Sequence, residues 1–459
     1  MKNDTIVAVS TPPGVGAIGI VRVSGPASIE ISSKISKLKN GKSLEQQKTH
    51  TLSYAEVINP KNNELIDEAL ITVLRAPNSY TGEDTIEFNM HGSYVVLKQV
   101  TTVLLELGLR YAAPGEFTKR AFLNGKLDLA QAEAVAEIID AKTELSSRIA
   151  VNKLVGTLSQ DIDKIKQEII DIISNIETEI EFPEEDVEAI DMTALRTEAN
   201  KILLQIQALK KHSDIYDVLN EGIRIVITGP PNVGKSSLLN FISKKEKSIV
   251  TEIPGTTRDV IEHQINLFGI PAVLYDTAGL RKSENIIEIE GIKRTTRLFD
   301  IADIIVVLID STEKFDKDGY TRFKDMGKKV IVAVNKVDIN RDYDAAAIKR
   351  FFSTENVYLI SAKTGEGIEK LLYAIKDRVL DKNIDFNEGL FVLNKRQVSS
   401  LMKAEESLKS FSNDAAAGHS PEELSVSLKE AIFFLDEILG KNIDERILDN
   451  IFSNFCIGK

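Results

Sequence analysis

The chain has 459 residues, enough for about three domains at ~150 residues each. Its 57 Lys and Arg against 69 Asp and Glu leave a formal charge of −12. That balance excludes a generic nucleic-acid coat, which needs surplus cations to release phosphate counterions, although a local basic patch stays open. With 43% hydrophobic and 27% charged residues, wholesale disorder is excluded as well. The lone cysteine, Cys456, excludes an intramolecular disulfide and a Cys-based metal cluster and points to a reducing cytoplasm. The opening residues lack the apolar core of a signal peptide, and no run approaches the ~18 apolar residues of a membrane span.

In chain order, the first region predicts a mixed α/β domain over 1–118. Short strands are expected at Ile18–Val23, Glu68–Leu74 and Thr85–Met90, and a helix at Ser93–Leu107. Prolines are then scarce, which permits long helices. The segment Asp128–Ala141 is Ala-rich and helical. Ile162, Ile165, Ile169, Ile172, Ile176 and Ile180 make one stripe at helical spacing. Pro183 should end that helix in a charged corner. Next come the apolar runs Ile223–Ile227, Ala272–Tyr275, Ile304–Ile309, Val330–Val334 and Val357–Ile360, alternating with helix-like stretches. Buried strands alternating with helices imply a doubly wound parallel sheet. A second helical block follows Asn394 and includes Ser425–Leu439, with Leu428, Ile432, Leu435 and Ile438 on one face. The fold class is therefore α/β plus all-α. An inserted α/β domain at 217–380 interrupts a discontinuous helical domain at 119–216 plus 381–459.

The first run is followed by Gly229-Pro-Pro-Asn-Val-Gly-Lys-Ser236 and a helix. This is a phosphate loop in its required strand–loop–helix setting. Asn232, Val233, Gly234, Lys235, Ser236 and Ser237 line it. Backbone N–H groups and the helix N-terminus face phosphate oxygens, Lys235 reaches the β- and γ-phosphates, and the Ser236 hydroxyl ligates Mg²⁺. The loop Thr251, Glu252, Ile253, Pro254, Gly255, Thr256 and Thr257 supplies a second Mg²⁺ hydroxyl from Thr257. Asp276, Thr277, Ala278 and Gly279 end the next strand; Asp276 suits a metal-bound water and the Gly279 N–H a γ-phosphate. Asn335, Lys336 and Asp338 end another, where the Asp338 carboxylate matches guanine N1–H and N2–H₂. Backbone of Ser361, Ala362 and Lys363 can meet guanine O6. All lie at carboxyl ends of strands, where open α/β sheets bind ligands. These motifs predict GTP binding. Taken alone, they also fit a switch GTPase of ribosome assembly or translation.

Leu280 occupies the position that holds a water-orienting Gln in small signalling GTPases, so another group must act. Glu284, Glu288 and Glu290 are the acidic choices nearby. Positive charge near the leaving oxygens could come from an arginine finger or from a monovalent cation held by Asn232.

Outside these motifs stand Asp4-Thr-Ile-Val7, Thr11-Pro-Pro-Gly14, Gly19-Ile-Val-Arg-Val-Ser-Gly-Pro26, Tyr80-Thr-Gly-Glu-Asp84 and His91-Gly92. Further on are Pro114-Gly-Glu-Phe-Thr-Lys-Arg through Gly125-Lys126, Phe182-Pro-Glu-Glu-Asp186 and Phe455-Cys-Ile-Gly-Lys459. From residue 4 to 459 the chain resembles the MnmE/TrmE family of tRNA-modification GTPases. The resemblance implies a potassium-activated GTPase. With an FAD-dependent MnmG/GidA-type partner, as a heterotetramer, it would add a carboxymethylaminomethyl group to C5 of the wobble uridine (position 34) of certain tRNAs. It implies a homodimer with no membrane attachment. The N-terminal domain would mediate dimerisation and bind a tetrahydrofolate derivative (5-formyl or 5,10-methylene) at Arg22, Glu87, Lys126 and Lys459. Potassium would be held by Asn232, Thr251, Ile253 and Thr256, and Glu288 would orient the attacking water. Cys456 is a candidate thiol for chemistry at the folate or uridine site. Pro254 stands where the family usually has Ala, Val15 where many members have Arg, and Ser93 in place of a second Gly after His91. His91 itself reads as structural.

Overall fold

The computed structural model describes residues 4–181, 191–245, 262–276, 297–324, 326, 329–354, 356–380 and 392–459. They form two compact units: Met1–Ala136 with Lys153–Ile206 and Ser399–Lys459, and Glu137–Asn152 with Gln207–Val398.

The first unit carries a seven-stranded sheet. Its strands are β1 (Ile6–Val9), β2 (Ile18–Ser24), β3 (Ser36–Leu38), β4 (Thr51–Asn59), β5 (Glu64–Leu74), β6 (Thr85–His91) and β7 (Arg110–Tyr111), in the order β3-β4-β5-β6-β2-β1-β7. Pairing is antiparallel except between β1 and β7. Alternation decides which side chains face which way. Val21, Val23, Ile86, Phe88 and Met90 are buried in one core with Leu97, Val100, Val103 and Leu104 of the helix Tyr94–Glu106. Arg22 and Glu87 fall on the opposite face, directly across from each other in the β2–β6 register.

The same unit holds the long helix Thr157–Glu181, whose Ile162, Ile165, Ile169, Ile172 and Ile176 are all buried, as their spacing predicts. It packs on the helix Pro421–Leu439, where Leu424, Leu428, Leu435 and Ile438 are buried. That second helix contains the expected Ser425–Leu439 and begins at Pro421. The Ser420–Glu423 capping box and Pro421 in the first turn place its start there. The corner at Pro183 lies outside the described residues.

The second unit carries a six-stranded sheet in the order β13-β12-β11-β8-β10-β9. The strands are β8 (Ile223–Thr228), β9 (Glu262–Leu267), β10 (Ile270–Asp276), β11 (Ile304–Asp310), β12 (Val330–Asn335) and β13 (Val357–Leu359). Five run parallel, and β9 is added antiparallel to β10. Both faces are covered. Ile225, Ile227, Val306 and Leu308 enter one core, while Val226, Ile305, Val307 and Ile309 enter the other. Burial on both sides is why these strands read as continuous apolar runs. The fold is α/β plus all-α with a doubly wound sheet, as expected. The sequence reading missed β9 because its Glu262-His-Gln-Ile-Asn-Leu267 pattern is that of a polar edge strand.

Candidate functional site

In the second unit, β8 is central and the helix Lys235–Lys245 follows it. The connecting loop is shaped by its backbone. Gly234 has φ +101°, and a Cβ there would lie 2.3 Å from Asn335 Nδ2, so only glycine fits without displacement. Asn232 also takes a left-handed φ of 62° and its side chain is exposed. Lys235 is buried, with its Nζ donating to the Gly229 and Pro230 carbonyls at 3.0 and 2.7 Å. Ser236 Oγ donates to Asp276 Oδ2 at 2.9 Å, bringing the hydroxyl from the helix start to the carboxylate ending β10. A hydroxyl and a carboxylate at a helix N-terminus are hard oxygen donors suited to Mg²⁺ completed by phosphate and water. Ser237 is exposed on the first turn.

Asn335 ties the loops together. Its Nδ2 donates to the Val233 carbonyl at 2.7 Å, and its Oδ1 accepts the Ala362 N–H at 2.9 Å. One buried amide thus joins the phosphate loop to the end of β12 and the loop after β13. Ser361 Oγ donates to Asp338 Oδ1 at 2.7 Å, orienting an exposed carboxylate. Lys363 is exposed beside it in sequence. Sequence reasoning missed Asp310, which ends β11 and pairs with Lys336 Nζ. Burial pushes the Asp310 carboxyl up, but Lys336 and the Thr312 hydroxyl and N–H outweigh this and hold it below its ordinary value. Its signal was available: an acid closing an otherwise apolar strand.

The predicted residues Thr251, Glu252, Ile253, Pro254, Gly255, Thr256, Thr257, Thr277, Ala278, Gly279 and Glu288 lie outside the described residues, as do Leu280, Glu284 and Glu290.

In the first unit, Arg22 Nε donates to Glu87 Oε1 at 2.8 Å, and both side chains are largely buried, at 16% and 22% exposure. The Arg22 guanidinium lies 5.9 Å from the Tyr80 ring centre and 5.6 Å from that of Phe117. Tyr80 Oη and Thr118 Oγ1 are hydrogen-bonded at 2.9 Å. Burial raises the Tyr80 phenol above its ordinary value, partly offset by Thr118 and Arg22. A cation, a carboxylate and two rings form a donor set that suits a flat heterocycle carrying an amide–amine edge and an anionic tail.

The segment Cys456–Lys459 reaches this pair. Arg22 Nη1 donates to the Gly458 carbonyl at 3.4 Å, and the Phe117 N–H donates to the Lys459 carbonyl at 3.2 Å. Cys456 is exposed. Lys126 packs against Gly82, two residues from Tyr80; its Cγ would lie 3.3 Å from a Cβ placed there. The structure therefore brings Arg22, Glu87 and the terminal segment together, with Lys126 on the adjoining loop. Tyr80 and Phe117 were quoted only within motifs. No local signal marked them, because two aromatics far apart in sequence meet one sheet-borne arginine only in the fold. His91 is an exposed residue whose Nδ1 lies 2.7 Å from Asp67 Oδ1, with its own N–H bonded to the same carboxylate, a pairing that raises its pKa.

The helix Glu116–Leu123 that presents Phe117 is held by a charge network. Arg120 bonds Asp4, Glu83 and Glu116 at 2.8, 3.1 and 2.9 Å, and Arg110 bonds Asp4 and Glu116 at 2.7 and 2.6 Å. Burial alone would raise the Glu116 carboxyl; its bonds to Arg110, the Ala113 N–H and Arg120 instead bring it down to about 2.

Among the described residues, no helix is long and apolar enough to cross a membrane. The family model for the MnmE helical domain matches residues 129–456, and that for the GTP-binding protein TrmE N-terminus matches 5–126. A tRNA modification GTPase MnmE of Caldicellulosiruptor saccharolyticus is 42% identical over 100% of both chains. One of Clostridioides difficile is 40% identical over 100% of this chain and 99% of its own. The G domain of the FeoB iron transporter of T. maritima aligns with 34% of this chain and 99% of its own, at 27% identity and a TM-score of 0.27. Matched along its whole length by relatives at about two-fifths identity, the chain belongs to the MnmE family.

Proposed function

We propose that this protein is a GTP hydrolase that works in tRNA modification, as its curated relatives are named. Its phosphate loop binds GTP: Lys235 neutralises phosphate charge, Ser236 and Thr257 hold Mg²⁺, and Asp276 holds a metal-bound water. Asp338, with the backbone of Ser361, Ala362 and Lys363, selects guanine. Asn232, with backbone oxygens of Thr251, Ile253 and Thr256, would hold K⁺, which supplies positive charge beside the leaving oxygen. The exposed Asn232 amide on a left-handed turn is compatible with that role. Glu288 orients the attacking water.

The finer reading is that the first unit binds a tetrahydrofolate derivative through Arg22, Glu87, Lys126 and Lys459. The chain acts as a cytoplasmic homodimer with an FAD-dependent MnmG/GidA-type partner to place a carboxymethylaminomethyl group on C5 of the wobble uridine. Glu87 accepts from the pterin amide and amino edge, cationic side chains take the glutamate tail, and Cys456 offers a thiol beside them. Domains at 1–118, 119–216 plus 381–459, and 217–380 divide this work.

The observation that carries the reading is the co-occurrence of two assembled sites in one chain. One is a nucleotide site knit by Asn335, and the other is an arginine–carboxylate pair met by the terminal segment. Nucleoside mass spectrometry of tRNA from cells lacking the protein tests it. Loss of the modified wobble uridine is expected. An unaltered nucleoside profile would leave only a switch GTPase without modifying activity.

A further inference from the structure

Within the first unit, residues 456–459 are bound to the N-terminal part of the chain at four points. The Cys456 carbonyl accepts the Gly115 N–H at 3.3 Å, and the Lys459 carbonyl accepts the Phe117 N–H at 3.2 Å. Between them, the Gly458 carbonyl accepts two bonds: Ser10 Oγ at 3.1 Å and Arg22 Nη1 at 3.4 Å. Gly458 has φ +94°, and a Cβ there would stand 2.4 Å from the Val9 carbonyl oxygen and 2.9 Å from Ser10 Cα. The segment therefore lies on the end of β1 with no room for a side chain at that residue. Upstream it is anchored by Phe455, buried with Phe452, Leu448 and Leu129.

Arg22 is thus shared. Its Nε bonds Glu87 and one terminal nitrogen bonds Gly458, which uses two of the five N–H donors of a guanidinium. The rest have no hydrogen-bond acceptor among the described residues.

We infer that residues 456–459 are a strap, and that Ser10 and Gly458 are positioning residues for ligand capture at the Arg22–Glu87 pair. Gly458 lets the strap lie on β1, and the Ser10 hydroxyl pins its carbonyl. The same carbonyl braces Arg22 against swinging away from Glu87. Seated in this way, the strap holds Lys459 over Phe117 and keeps the free guanidinium donors available to an anionic ligand. The ligand class is a reduced folate, so the inference rests on the folate reading above.

Two measurements test it. The first needs no ligand: hydrogen exchange by mass spectrometry over a peptide containing Gly115 and Phe117. In the wild type these amides are protected by the strap carbonyls. In Gly458→Ala they exchange at least about tenfold faster, because the strap cannot seat. Equal exchange in the two proteins overturns the strap. The second is equilibrium dialysis with 5-formyltetrahydrofolate. Gly458→Ala weakens binding at least tenfold. Ser10→Ala weakens it about two- to tenfold, the worth of one hydrogen bond, and Ser10→Thr restores it by keeping the hydroxyl. Far-UV circular dichroism and the urea-unfolding midpoint of each variant, close to those of the wild type, report that the first unit is folded. Wild-type affinity in Gly458→Ala, or no rescue by Ser10→Thr, overturns the positioning role. No binding by the wild type overturns the folate reading itself.

Discussion

Asn335 offers a sharp test of how the nucleotide site is held together. Its amide is 2% exposed and satisfies two backbone groups from different loops, the Val233 carbonyl and the Ala362 N–H. Asn335→Asp changes one atom of this arrangement. Oδ1 still accepts from Ala362, but the nitrogen becomes an oxygen facing the Val233 carbonyl across 2.7 Å. A hydrogen bond turns into contact between two acceptors, one of them charged and buried. An unsatisfied buried carbonyl costs ~1–3 kcal/mol, and the misplaced carboxylate adds to it, so the expected loss is about 2–4 kcal/mol. Releasing Val233 also loosens the phosphate loop, and GDP affinity should fall at least about tenfold. Burial raises the pKa of the introduced carboxyl, and its protonated form can again donate to Val233. The defect should therefore shrink as pH falls from 7.5 toward 5.5, because the folded state gains the proton. Urea unfolding and titration with a fluorescent GDP analogue at both pH values read this out. An unfolding midpoint and a GDP affinity within twofold of wild type at pH 7.5 would refute the bridging role.

Gly234→Ala should abolish nucleotide binding, since its Cβ would stand 2.3 Å from Asn335 Nδ2 on a backbone at positive φ; retained binding in the same titration would contradict this. Replacing K⁺ by Na⁺ in the assay buffer should slow GTP turnover strongly, and equal rates would reject the potassium role. Glu288→Ala should keep GTP affinity while lowering turnover ~10²-fold or more, whereas lost affinity would point to a structural part. Glu116, whose carboxyl lies at about 2 against an ordinary 4.5, contributes roughly 3 kcal/mol. Because the folded pKa is the lower one, that stability is full above about pH 4.5 and is lost as pH falls toward 2. The stability gap between wild type and Glu116→Gln should therefore narrow below pH 4.5; a constant gap from pH 7 to 3 would refute the linkage.

The two sites were not equally legible. The nucleotide site could be read in detail because its chemistry is local. Asp276 and Asn335 each close an apolar run buried on both faces, and Ser361 follows the short apolar run of β13, so all three were placed by where a strand had to end. The bridge between Asn335 and Val233 was invisible, since it spans loops more than a hundred positions apart in sequence. In the first unit, local pattern found β2, β6 and the latter part of β5 but missed β1, β3, β4 and β7. β4 and β5 form a hairpin whose outer face alternates with exposed Leu52, Tyr54 and Leu70, which blurs the period-two signal. The Arg22–Glu87 pairing depends on the register of strands separated by more than sixty positions, and periodicity carries no information about register. Family resemblance named those residues. The sheet supplies the reason they meet.

That sheet also explains why the chain's last segment belongs with its first. The helix Thr157–Glu181 buries its isoleucine stripe against Pro421–Leu439, with Lys429 bonded to Glu177 at 2.8 Å and Lys166 to Asp436. Phe452 and Phe455 complete a cluster with Leu129, and Gly458 lies on β1. In sequence, these contacts bracket the long stretch that contains the nucleotide site. Loop-closure entropy grows only slowly with length, by about 0.6 kcal/mol for each doubling. A stretch that has already folded around its own buried sheet brings its ends together more cheaply than a flexible loop would. An insertion of this size is therefore tolerable, provided it carries its own core, and the two cores flanking β8 and β11 supply one. The arrangement also imposes an order. The arginine–carboxylate pair cannot receive its strap until residues 456–459 are made, whereas the described contacts of Lys235, Ser236 and Asn335 are all made within the second unit. Those contacts can therefore form before the terminal segment is available.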